Sequence, residues 1–157
     1  MYRPSAAPLR PSIEVFRHAF PATPEAARHA RHLVDNALRL LGMEDVEPFR
    51  SEVVAIVAEL TANAATHGRA SDQGFEVAAF LIPDGVRVEV GDRCEGDLSS
   101  VRPRALEDGD AESGRGLLIV TALAHRWGVA PSRTKAPGKT VWAELLRNGP
   151  PSAEEVP

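Results

Sequence analysis

The sequence holds a single cysteine, Cys94, so no disulfide can form within the chain, and no C-x-x-C pattern marks the thiol as reactive. Basic charge is also short: 18 Lys and Arg stand against 22 Asp and Glu, a formal net charge of -4 with pI near 5.7. Such a chain has no broad basic field for a nucleic-acid backbone, so no direct nucleic-acid contact is expected. No apolar run approaches the roughly 20 residues that span a bilayer. The opening MYRPSAAPLRPS lacks the apolar centre of a signal peptide. These absences lead to the expectation of a cytoplasmic protein with no membrane segment. Five histidines do not replace the missing thiols. His29, His32 and His125 have no Cys or Asp at ligand spacing, so no zinc site is expected.

What remains is an ordinary globular composition, 43% hydrophobic and 25% charged, in 157 residues, enough for one domain with a real core. Pro4, Pro8 and Pro11 at the start and GPPSAEEVP at the close mark residues 1–11 and 147–157 as loose ends around a folded region at 12–146. SIEVFRHAF reads as an edge strand. Thr23 can cap a helix with Pro24 at its first position, and Ala30, Leu33, Val34, Ala37, Leu38 and Leu41 form one apolar stripe ending before Gly42. A second helix from near Pro48 buries Phe49, Val53, Ile56, Val57, Leu60 and Ala64, with Gly68 as its stop. FEVAAFLI and VRVEV, parted by Pro83-Asp84-Gly85, form a hairpin. The aperiodic polar stretch from Gly91 to Ser113 is either a functional lid or partly disordered. GRGLLIVTALAHRW reads as a helix approached through glycines, RWGVAP as a short strand, and KTVWAELL as a last strand with Val141, Ala143 and Leu145 on one face. The fold class is α/β (α+β): a two-layer sandwich whose mainly antiparallel, mixed sheet is covered on one face by helices.

Several residues carry candidate chemistry. In AELTANAATHG, Glu59 and Asn63 are four apart, offset by about 40° on the helix, so they can share a ligand or ion. An Asn carbonyl suits Mg²⁺, which takes oxygen ligands, and a neighbouring Glu can orient a group or accept a proton. On spacing alone, a solvated helix face is the competing explanation. Asp92 ends an alternating strand, where its carboxylate can accept from a ligand amine or simply close a turn. Gly114 and Gly116 stand where a loop meets a helix, with backbone N–H groups free for phosphate oxygens or with a role in turn geometry only. PGKT is not a P-loop: Arg133 occupies the position of its first glycine, and TVWAELL is a strand where a helix is required.

The order of these signals resembles the ATP-binding fold of the GHKL superfamily of gyrase, heat-shock chaperone, histidine kinase and mismatch-repair proteins. More closely it is similar to the bacterial anti-sigma-factor serine/threonine kinases, over about residues 12 to 146. The resemblance implies ATP and Mg²⁺ as cofactors, with Glu59 as catalytic base and Asn63 as Mg²⁺ ligand. It places Asp92 at the adenine amine, and Gly114, Arg115, Gly116 and Leu117 in the phosphate-handling glycine box. Thr140 falls where the family has a hydroxyl near the adenine. It implies as partners a sigma factor and an anti-anti-sigma (STAS-type) protein and, since relatives of this size often dimerise, a second copy of the chain. A nucleotide-gated binding protein without transfer is the alternative. A histidine kinase fits less well, because the residues before the second helix show no two-helix dimerisation domain. His67 matches a frequent family residue without a definite chemistry. The family usually has D-x-G after the strand, where this chain has Asp92-Arg93-Cys94, a stiffer or bulkier start to the lid.

Overall fold

The computed structural model describes residues 11–67, 74–92, 111–131 and 138–147. The expected loose ends over 1–10 and 148–157, the Gly68 stop, the polar stretch over 93–110 with Cys94, and Arg133 lie outside the described residues.

The chain runs β1 (Ile13–Phe20), α1 (Pro24–Leu40), α2 (Phe49–His67), β2 (Phe75–Ile82), β3 (Gly85–Asp92), α3 (Ala111–Leu123), β4 (Arg126–Pro131) and β5 (Lys139–Leu146). The first helix starts at the predicted cap, where Thr23 Oγ1 accepts from the Ala26 N–H at 3.1 Å. Such a cap contributes about 1 kcal/mol. It stops at Gly42, whose φ of 82° is the left-handed conformation that glycine adopts at low cost. Ala30, Val34 and Leu38 of the predicted stripe are buried, while Leu41 lies past the last turn and is exposed. The whole predicted face of α2 is buried, from Phe49 to Ala64. Thr61, on the same face, satisfies its hydroxyl by donating to the Val57 carbonyl at 2.7 Å.

The five strands form one sheet in the order β1-β2-β3-β5-β4, with every pairing antiparallel. The expected mixed character is therefore corrected: among the described residues the sheet is purely antiparallel. Inserting α3 and β4 between β3 and β5 in sequence lets those two strands pair in opposite directions. The chain reverses between β2 and β3 at Pro83-Asp84, with Asp84 at φ 62°.

Strand alternation sorts the sheet into two faces. Val77, Ala79, Val86, Val88, Val90, Ala143 and Leu145 join the helices in one core. The second face carries a buried ionic network. Arg87 donates through Nε to Glu89 Oε2 at 2.9 Å and through Nη1 to Glu144 Oε1 at 3.3 Å, and Arg126 Nη2 reaches Glu144 Oε2 at 2.5 Å. The Arg87 guanidinium also lies 4.7 Å from the Trp142 ring centre, a cation–π contact.

Candidate functional site

Glu59 and Asn63 occupy the last turns of α2, whose opposite side is committed to the core; both are half-buried. α2 packs between α1 and α3 and lies across β3 and β5. The side of α2 bearing Glu59 meets α3 at Gly116. A Cβ at that position would stand 2.9 Å from Glu59 Oε2 and 3.5 Å from Asn63 Nδ2. The absence of a side chain at Gly116 is thus what lets the third helix approach while both polar groups keep their places.

The structure corrects the reading of α3 as a helix approached through Gly114. It begins at Ala111 and ends at Leu123, because Ala111 and Glu112 are good helix formers that extend it by three residues. The first-turn N–H groups without helical partners therefore belong to residues 111–114. Gly114 keeps such a group, with Arg115 next in the helix. Gly116 lies within the helix and supplies space. The Leu117 side chain is buried in the core, where it anchors the helix, so only its backbone could face a ligand.

Asp92 ends β3 and is buried. Its register partner is Lys139, the first residue of β5, and Lys139 Nζ lies 3.9 Å from Asp92 Oδ2. Thr140 pairs instead with Gly91, and its Oγ1 lies 3.4 Å from the position of a Gly91 Cβ. Alternation puts Thr140 on the ionic-network face, away from Asp92. Sequence reasoning thus missed Lys139. The signal was present in strand parity, since Val141, Ala143 and Leu145 toward the helices carry Lys139 to that same side.

These groups gather at one end of the domain. Asp92 pairs with Phe75, at the start of the strand to which α2 leads. Lys139 pairs with Pro131, whereas Arg126 pairs with Glu144 at the far end. α3 ends three residues before Arg126, so the helix runs back from the far end and presents its N-terminal half, with Gly116, toward Asp92. A groove of about 420 Å³ between α1 and α2, lined by Ala27, Arg28, Arg31, Ala58 and Ala62 among others, contains none of these residues.

The histidine kinase-like ATPase domain matches residues 20–145. The chain belongs to this family. Among curated proteins none matches it. The match covers β2, β3 and β4, all of β5 but Leu146, and of β1 only Phe20, and it contains both helices that meet at Glu59, so the fold is of GHKL type and built to bind ATP. No helix among the described residues is long and apolar enough to cross a membrane.

The residues present fit a nucleotide's phosphates and a hard cation. Gly116 leaves a cradle that a single Cβ would fill, and it is bordered by a carboxylate and an amide. Among the described residues no group of three or more His, Cys, Asp and Glu could hold a metal alone. Mg²⁺ needs no such cage where phosphate oxygens and waters complete its octahedron.

Proposed function

We propose that this ATPase domain is an ATP- and Mg²⁺-dependent serine/threonine protein kinase that acts as an anti-sigma factor: it binds a sigma factor and phosphorylates an anti-anti-sigma antagonist of STAS type. The observation that carries the reading is the convergence of Glu59 and Asn63 on Gly116, at the sheet end where Asp92 lies. It is supported by the close similarity of the motif order to that kinase family.

Phosphoryl transfer depends mainly on positioning and charge neutralisation. Asp92 accepts a hydrogen bond from the adenine amine and so sets the nucleotide's register. Gly114, at the positive end of α3, offers its N–H to a phosphate oxygen. Asn63 offers its amide oxygen as a cation ligand, and bound Mg²⁺ would neutralise charge on the phosphates. Glu59 orients the Ser or Thr hydroxyl of the antagonist and takes its proton. The hydroxyl oxygen then forms the new bond to the γ-phosphorus, and the bond to the β–γ bridging oxygen breaks with its electron pair leaving on ADP. Incubating the protein with γ-labelled ATP and the antagonists encoded beside it tests the reading: label should appear on a Ser or Thr of one of them. ATP binding without any transfer would replace the kinase with a nucleotide-gated binding protein.

A further inference from the structure

We infer that Lys139 is a nucleobase-specificity residue: with Asp92 it forms a donor–acceptor pair that reads the 6-amine of adenine together with a ring nitrogen beside it, N1 or N7. The inference rests on the ATP site proposed above and goes beyond it, since it gives the base two polar contacts from two strands.

Lys139 and Asp92 stand opposite each other on β5 and β3, on the helix-facing side of the sheet, with 8% and 5% of their surfaces exposed. A lysine is almost never this buried unless it is paired. The 3.9 Å between Nζ and Oδ2 is an ion-pair distance, beyond a direct hydrogen bond, so the three N–H donors of the ammonium are not spent on that oxygen. A carboxylate and an ammonium side by side present an acceptor and a donor. Adenine presents the complement along either edge flanking its amine, a donor at N6 and an acceptor at N1 or N7. Guanine sets its O6, an acceptor, against the carboxylate. The ammonium also has a second effect, because its positive charge offsets part of the cost of burying the Asp92 carboxylate.

The test removes single ligand atoms. Binding of ATP, 1-deaza-ATP, 7-deaza-ATP and the triphosphate of purine riboside, which lacks the amine, is measured for the parent protein and for Lys139→Met and Lys139→Gln. A charge-assisted hydrogen bond predicts that the parent binds one of the two deaza analogues about tenfold to a hundredfold more weakly than ATP. That penalty should vanish in Lys139→Met and survive in part in Lys139→Gln, which keeps a neutral donor, while the cost of losing the amine persists in both. A purely structural lysine would weaken all four nucleotides alike. The inference is overturned if both deaza analogues bind the parent as ATP does, a result that needs no variant to fold. It is also overturned if the penalty is unchanged in Lys139→Met, or if that variant binds ATP more tightly because the ammonium had competed for Asp92. No ATP binding by the parent would instead overturn the nucleotide site itself, and this inference with it.

Discussion

Gly116 shows how much one missing methyl group can hold in place. Its Cβ would press on the end of a flexible Glu side chain and not on backbone, so Gly116→Ala should fold. Alanine in a helix interior gains up to about 1 kcal/mol over glycine, and the melting temperature should hold or rise. The Glu59 carboxylate must swing away, however, and a displacement of about 1 Å can cost roughly 100-fold in rate. Thermal unfolding beside a transfer assay checks this pairing of kept stability with lost activity. Asn63→Ala should weaken ATP binding in Mg²⁺ by at least about tenfold with an unchanged far-UV spectrum; titration with Mg²⁺ and with EDTA separates loss of a metal ligand from general damage. Asp92 should make the parent prefer ATP over GTP, since its carboxylate faces the guanine carbonyl acceptor to acceptor. Asp92→Asn, whose amide can donate to that carbonyl, should narrow the preference; competition binding of the two nucleotides measures it.

Elements were legible wherever the information is local. The Thr23 cap, the Gly42 stop, the alternation of β3 and the stripe on α2 are each written within a few residues, and they put Glu59 and Asn63 on one side of a helix. What the sequence hid is non-local. The start of α3 was obscured because Gly114 and Gly116 oppose helix formation, and Gly116 is explained only by Glu59 on another helix. Lys139 meets Asp92 only because β3 pairs with β5 across an intervening helix and strand. The family resemblance drew attention to Thr140, whereas the parity of β5 places its side chain on the other face. The same pairing explains why Glu144 matters. Fully buried on β5, it bridges Arg87 of β3 and Arg126 of β4. Removing one member of a buried ionic network costs about 3–5 kcal/mol, well above the roughly 1 kcal/mol of the Thr23 cap. Glu144→Ala should therefore lower the denaturant midpoint more than Thr23→Ala does, and the reverse order in equilibrium unfolding would contradict the bridging role.

At the scale of the whole molecule, the described residues form three helices on one face of a five-stranded sheet, with the candidate-site groups collected at one end: Glu59 and Asn63 from α2, Gly114 and Gly116 from α3, Asp92 and Lys139 from two neighbouring strands. A nucleotide bound there would touch both layers, with its base at the strand ends and its phosphates beside the helices, so binding should stabilise the domain against unfolding by mass action. On the proposed kinase reading, nucleotide binding and phosphoryl transfer would draw on different members of this set, and Glu59 would separate them. A general base contributes about 10²- to 10⁴-fold to rate and need not contribute to ground-state affinity. The most direct measurement is transfer of labelled γ-phosphate from ATP to the antagonist by the parent and by Glu59→Gln, with ATP·Mg²⁺ affinity measured on the same preparations. The kinase account predicts nearly equal affinities and a loss of transfer of at least about 100-fold in the variant. Equal transfer by parent and variant, or ATP binding by the parent with no transfer to any candidate antagonist, would contradict it.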